Sequence, residues 1–137
     1  MIHPLEFLSK YKFVLKQEIV WWQAKGANTD KIRFFPFSER IYWMTKIPKT
    51  KMYNKHLTQD VFRFTPTHKR KETGHPAVMP EEVAEILMTP FPDAKTVLDP
   101  FAGVGTTCVV AKRNNKSYIG IEIEDDYVKI ANKRLGL

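Results

Sequence analysis

Residues 95–107 read Lys95-Thr-Val-Leu-Asp99-Pro-Phe-Ala-Gly103-Val-Gly105-Thr-Thr107, and this stretch decides the fold. Its first five residues predict a short strand closed by an acid. Gly103 permits a tight turn, and Gly105 lets backbone approach a ligand at the start of the next helix. That helix is predicted from about Gly105 to Arg113, with Asn114 and Asn115 suited to its end. Tyr118-Ile-Gly-Ile-Glu-Ile123 predicts a second strand. Asp125 and Asp126 open a last helix whose apolar face is Val128, Ile130, Ala131 and Leu135. Residues 95–137 are therefore β-α-β-α, a parallel pair joined by a crossover helix.

Glu122 stands 23 positions after Asp99. A carboxylate at the tip of the second strand accepts both hydroxyls of a ribose, so strand, glycine turn, helix, strand and acid together point to a nucleoside-containing cofactor. The dinucleotide fingerprint wants a third glycine where this chain has Cys108, a small residue expected to be buried on the helix's apolar face.

Upstream, Pro80, Glu81 and Glu82 suit a helix start, and Val83, Ile86 and Leu87 give it an apolar face up to about Met88. Pro90 and Pro92 stop it. Residues 13–22 and 40–47 read as strands of an antiparallel pair, with a loop over 23–38 and a short helical turn over 4–10. Pro48, Pro66, Gly74 and Pro76 make 48–76 irregular, which in a compact domain marks a functional loop or disorder.

The chain has 137 residues, 43% of them hydrophobic and 27% charged, which is globular composition for one domain. The single cysteine excludes an internal disulfide framework. The N-terminal residues do not read as a signal peptide, and no stretch is long and apolar enough for a bilayer; a cytoplasmic protein is expected. Its net charge of +7 is uneven. Residues 1–80 hold 15 basic and 6 acidic side chains, and residues 81–137 hold 7 and 9. The basic excess crowds into Lys46, Lys49, Lys51, Lys55 and then Arg63, Lys69, Arg70, Lys71, a field that attracts phosphate or is simply a solvated surface. His56, His68 and His75 show no ligand spacing, and no metal is expected.

Val97-Leu-Asp-Pro-Phe-Ala-Gly-Val-Gly-Thr-Thr107, then Tyr118-Ile-Gly-Ile-Glu122 and Tyr127-Val-x-Ile-Ala-x-x-Arg134, resemble the S-adenosylmethionine site of bacterial DNA amino-methyltransferases. His75-Pro-Ala-Val-Met-Pro-Glu81 resembles the family's other cofactor motif, which in the beta subgroup lies directly before the glycine loop. Ile19-Val-Trp-Trp22, Arg33-Phe-Phe and Glu39-Arg-Ile-Tyr-Trp43 resemble the hairpin bordering the target-base pocket. The resemblance implies that Phe101, Gly103, Gly105 and Thr106 line the cofactor, that Glu122 holds its ribose, and that Asp99, His75 and Pro76 lie at its methionine end. The competing readings are a helix-capping Thr106, a surface Glu122 and a loop His75.

The implied fold class is α/β: a partial Rossmann-like methyltransferase fold, an antiparallel hairpin plus a β-α-β-α cofactor unit, with the central catalytic strands missing. The implied single domain, 1–137, divides into the hairpin (1–47), a basic target-recognition slot (48–74) that contacts DNA through Lys49, Lys51, Lys55, Arg63, Lys69, Arg70 and Lys71, and the cofactor unit (75–137). The family transfers a methyl group to the exocyclic amino group of adenine or cytosine with an Asp/Asn/Ser-Pro-Pro-aromatic motif, which accepts hydrogen bonds from that amino group and stacks on a flipped base. Here no two of the nine prolines are adjacent. The resemblance thus implies a C-terminal portion, inactive or nearly so alone, whose partners are double-stranded DNA and either the missing N-terminal portion or a complementary subunit. It also implies a bacterial or phage origin. Two rivals remain at this point: a non-catalytic cofactor- or DNA-binding subunit that completes a partner enzyme, and a nicotinamide-dependent oxidoreductase.

Overall fold

The computed structural model describes residues 6, 10–23, 37–64 and 78–137. His75, Pro76, Lys69, Arg70 and Lys71, most of the turn expected over 4–10 and most of the loop expected over 23–38 lie outside the described residues. The chain divides into two compact units, Met1–Met52 with Gln59–Arg63, and Tyr53–Thr58 with Phe64–Leu137.

The first unit is a sheet of order β2-β1-β3. Strands β1 (Val14–Trp22) and β2 (Ser38–Thr45) pair antiparallel, Ile19 opposite Ile41, with a bulge between Leu15 and Gln17. Strand β2 ends at Thr45, not at 47, because its partner ends at Val14 and the Thr45 hydroxyl donates to Ile47 O at 2.7 Å, bending the chain away. Within the stretch expected to be irregular, β3 (Val61–Arg63) pairs parallel to β1. Its register sets Phe62 beside Trp21, and both are buried. Two bulky aromatics that exclude water side by side are reason enough for three residues to join the sheet. One register step on, Arg63 lies over the ring of Trp22, 4.5 Å from its centroid.

In the second unit, α1 (Glu81–Met88) starts after a buried Pro80 and packs on α2 (Thr106–Arg113). Buried Val83, Ala84, Val110 and Ala111 supply its core. Asn114 fastens the two helices by donating to Glu85 Oε1 at 3.0 Å. Strands β4 (Thr96–Asp99) and β5 (Ser117–Gly120) are parallel, Leu98 beside Ile119. The loop before β4 is pinned by the Lys116 ammonium, which donates to the carbonyls of Phe91, Pro92 and Ala94. Strand β5 stops at Gly120 instead of 123, because the Glu122 carboxylate accepts the Ile123 and Glu124 N–H groups and turns the chain into α3 (Asp125–Leu135). Side chains alternate across the pair. Val97, Asp99 and Tyr118 are half-buried on the face toward α2, while Leu98, Ile119 and Ile121 are 60%, 54% and 55% exposed on the other.

Candidate functional site

The β4–α2 connection is built by its own backbone and by two distant side chains. Asp99 Oδ1 accepts the Phe101 N–H at 3.0 Å, which closes the turn leaving the strand and leaves the Phe101 ring 88% exposed. Ala102 N–H then donates to Ile121 O, and Ile121 N–H to Asp99 O, both at 2.9 Å, so the loop grips the chain just beyond β5. That grip brings Glu122 to the glycines. Its Oε2 accepts the Gly103 N–H at 2.7 Å, while Oε1 accepts Ile123 N–H at 2.8 Å and Glu124 N–H at 3.0 Å. Glu122 is therefore no bare strand-tip acid. It already closes the loop.

The two glycines are glycine for different reasons. Among the described residues, Gly103 (φ +52°) has no atom within 4 Å of where a Cβ would stand, so its surface is open to them. At Gly105 (φ +77°) a Cβ would come 2.8 Å from Ala131 Cβ, so the crowding expected from a ligand is supplied by α3. Gly120 was not singled out from the sequence, yet it is as tightly held. A Cβ there would meet Cys108 Sγ at 2.8 Å and Ala102 Cβ at 3.1 Å. Cys108 is buried under β5, and burial, with the Asp99 charge second, pushes its thiol pKa up.

Thr106 is buried, and its hydroxyl accepts from Arg134 at 3.1 Å. Arg134 also donates to Val104 O at 2.6 Å and to Glu81 Oε1 at 2.8 Å; Glu81 Oε2 takes Arg113 at 2.6 Å. The sequence carried Arg134 only as part of a motif, without a role. Beside the loop lies a cleft of about 400 Å³, bounded by Ala102, Gly103, Gly120, Glu122, Ala131 and Asn132. Asp99, Phe101, Gly103, Gly105, Thr106 and Glu122 thus gather around one connection, with Thr106 beneath it. Of the basic residues, Lys49 and Lys51 are exposed, Lys55 lies in a 3-10 turn (Lys55–Leu57), and Arg63 is stacked on Trp22. Among the described residues no three His, Cys, Asp or Glu converge on a metal position, and no helix is long and apolar enough to cross a membrane.

Known proteins resemble this chain in sequence and fold. The chain is 35% identical over 143 residues to the Type II methyltransferase M2.LlaDCHI of Lactococcus lactis subsp. cremoris, covering 93% of this chain and 53% of that protein. It is 36% identical to the Type II methyltransferase M2.DpnII of Streptococcus pneumoniae with the same coverage. The chain thus spans about half the length of these relatives. The crystal structure of an M1.HpyAVI–SAM complex superposes with a TM-score of 0.75 at 29% identity, over 96% of this chain and 67% of that one. The cytosine-N4-specific PvuII DNA methyltransferase, 20% identical, superposes at 0.80 over 96% of this chain and 54% of that one. The α/β architecture is therefore a partial Rossmann-like methyltransferase fold. The sequence pattern of the DNA methylase family matches residues 2–133, and the chain belongs to that family of N6 and N4 methyltransferases.

Proposed function

We propose that this chain binds S-adenosylmethionine at the glycine loop and double-stranded DNA through its basic first half, as part of a restriction-modification amino-methyltransferase acting on adenine or cytosine. The observation that carries the reading is the open backbone at Gly103 beside the Glu122 carboxylate. The residues fit the cofactor: the cleft of about 400 Å³ suits a nucleoside-sized ligand, with a carboxylate at its rim for ribose hydroxyls. Phe101, exposed beside Asp99, offers an apolar ring to the methionine end. When bound, S-adenosylmethionine supplies an electrophilic methyl group on a sulfonium. His75 and Pro76 complete the methionine end in this reading. Lys49, Lys51, Lys55, Arg63, Lys69, Arg70 and Lys71 position DNA by its phosphates.

Methyl transfer itself needs an acceptor motif for the amino group, and these 137 residues hold no Pro-Pro pair. The exposed Leu98, Ile119 and Ile121 support the same conclusion, since parallel sheets are covered on both faces. We therefore expect the 137 residues alone to be inactive or nearly so, and to work with a complementary portion or subunit. The non-catalytic reading predicts the same cofactor binding but no activity on addition of the complementary half of a relative.

Calorimetric titration with S-adenosylhomocysteine and with NAD tests the cofactor reading. Binding of the first and not the second is expected; tight NAD binding without the first overturns it.

A further inference from the structure

We propose that Arg134 is a positioning residue for the glycine loop, acting on cofactor binding through backbone and without touching the cofactor; the proposal deepens the cofactor reading and rests on it for its effect on affinity. Arg134 stands in the last turn of α3, with its side chain 18% exposed. One guanidinium nitrogen donates to Val104 O at 2.6 Å and to Thr106 Oγ1 at 3.1 Å, and the other to Glu81 Oε1 at 2.8 Å. Two segments distant from Arg134 and from each other in sequence, the loop apex running into the first turn of α2 and the first turn of α1, therefore meet on one planar cation.

The loop has need of such an anchor. Val104 lies between Gly103 and Gly105, both at positive φ, and glycines on either side leave a peptide plane with little preference of its own. The Val104 carbonyl is fixed because Arg134 takes it. Fixing it sets the direction of the Gly103 and Gly105 backbone, which is the surface offered to a ligand. An arginine suits this position better than a lysine, because a rigid fork directs several bonds at fixed angles and an ammonium is a point charge on a flexible stem. Glu81, itself held by Arg113 at 2.6 Å, fixes the orientation of the fork.

The test compares the parent chain with Arg134→Met, Arg134→Lys and Glu81→Gln. Two readouts are used: amide hydrogen exchange of residues 102–106 without ligand, and calorimetric affinity for S-adenosylhomocysteine. Arg134→Met is expected to speed exchange in the loop while the middle of α2 stays protected. It should weaken affinity by about 10- to 100-fold, the equivalent of one charge-assisted hydrogen bond. Lysine should rescue only in part. Glu81→Gln keeps an oxygen acceptor for Arg134 and should leave loop exchange and affinity within about threefold of the parent. A folded Arg134→Met with unchanged loop exchange overturns the proposal, as does an equal loss in Glu81→Gln, which marks a merely structural network. If Arg134→Met does not fold, Arg134→Lys decides by the same criteria. If the parent fails to bind S-adenosylhomocysteine while loop exchange responds as stated, the cofactor reading falls and the positioning role stands.

Discussion

Glu122 is where the structure most changes what the sequence led us to expect, and its replacement by alanine gives the sharpest test. The sequence reading treats it as an acid at a strand tip, free to receive ribose. In the structure its carboxylate accepts three backbone N–H groups, from Gly103 at 2.7 Å, Ile123 at 2.8 Å and Glu124 at 3.0 Å. A hydrogen bond to a charged group contributes about 1.5–3 kcal/mol at best. The Ile123 and Glu124 bonds are local and water-accessible, so water replaces them at a cost of about 0.5 kcal/mol each. The Gly103 bond spans 19 residues and closes the loop, and it deserves the full value. Together they make Glu122→Ala destabilising by about 2.5–4 kcal/mol, or roughly 8–15 °C in Tm for a chain of this length. Ligand hydroxyls must share oxygens already in use, which brings the affinity loss toward the low end of one or two charge-assisted bonds, about 1.5 kcal/mol or some tenfold in Kd. Thermal unfolding and calorimetry with S-adenosylhomocysteine read the two effects separately. A Tm within about 2 °C of the parent refutes the loop-closing role; an unaltered Kd in a folded variant refutes ribose binding.

Gly105→Ala should cost at least about 2–3 kcal/mol, because it combines positive φ with a 2.8 Å approach to Ala131 Cβ; Gly103→Ala, with no described residue within 4 Å, should cost only about 1 kcal/mol in stability and show its effect in cofactor affinity. Equal Tm losses in the two variants would contradict the assignment. The raised thiol pKa of Cys108 predicts slow alkylation in the native state and rapid alkylation in denaturant. Because its folded value lies above the ordinary 9.0, the thiol's stabilising contribution is complete below pH 9 and is lost as pH rises through the folded value, so Tm should fall more steeply above pH 9 in the parent than in Cys108→Ala. DNA affinity, followed by anisotropy of a labelled duplex, should fall with salt at a log-log slope of roughly −3 to −6, and neutralising Lys69, Arg70 and Lys71 should flatten it by about 2–3 units. An unchanged slope makes that run a solvated surface.

The β-α-β-α order was legible because each element carries a local signal: a β-branched run, a glycine pair, acids opening a helix. What stayed hidden was one non-local contact and one local competition. β3 forms because Phe62 packs beside Trp21, about forty residues away, and three residues flanked by irregular sequence show no period of their own. The end of β5 is set by Glu122 folding back on its own backbone, a competition between side chain and ladder that apolar content cannot reveal.

The glycine loop shows what a fold adds to a motif. The sequence reading gives Gly103 to the tight turn and Gly105 to the approach of a ligand, and both lie in left-handed backbone. The fold separates them further, because it brings Ala131 of α3 against Gly105 and, among the described residues, nothing within 4 Å of a Cβ at Gly103. The same holds for Arg134, whose side chain is the partner of Val104 and Thr106 although thirty positions separate them. A loop that must stay open to a ligand cannot be held by packing on its open side. Its order comes from behind, from Arg134, and from the rim, through Glu122. The residues that hold the loop are therefore remote from it in sequence, which is why the motif alone does not reveal what keeps the loop in shape.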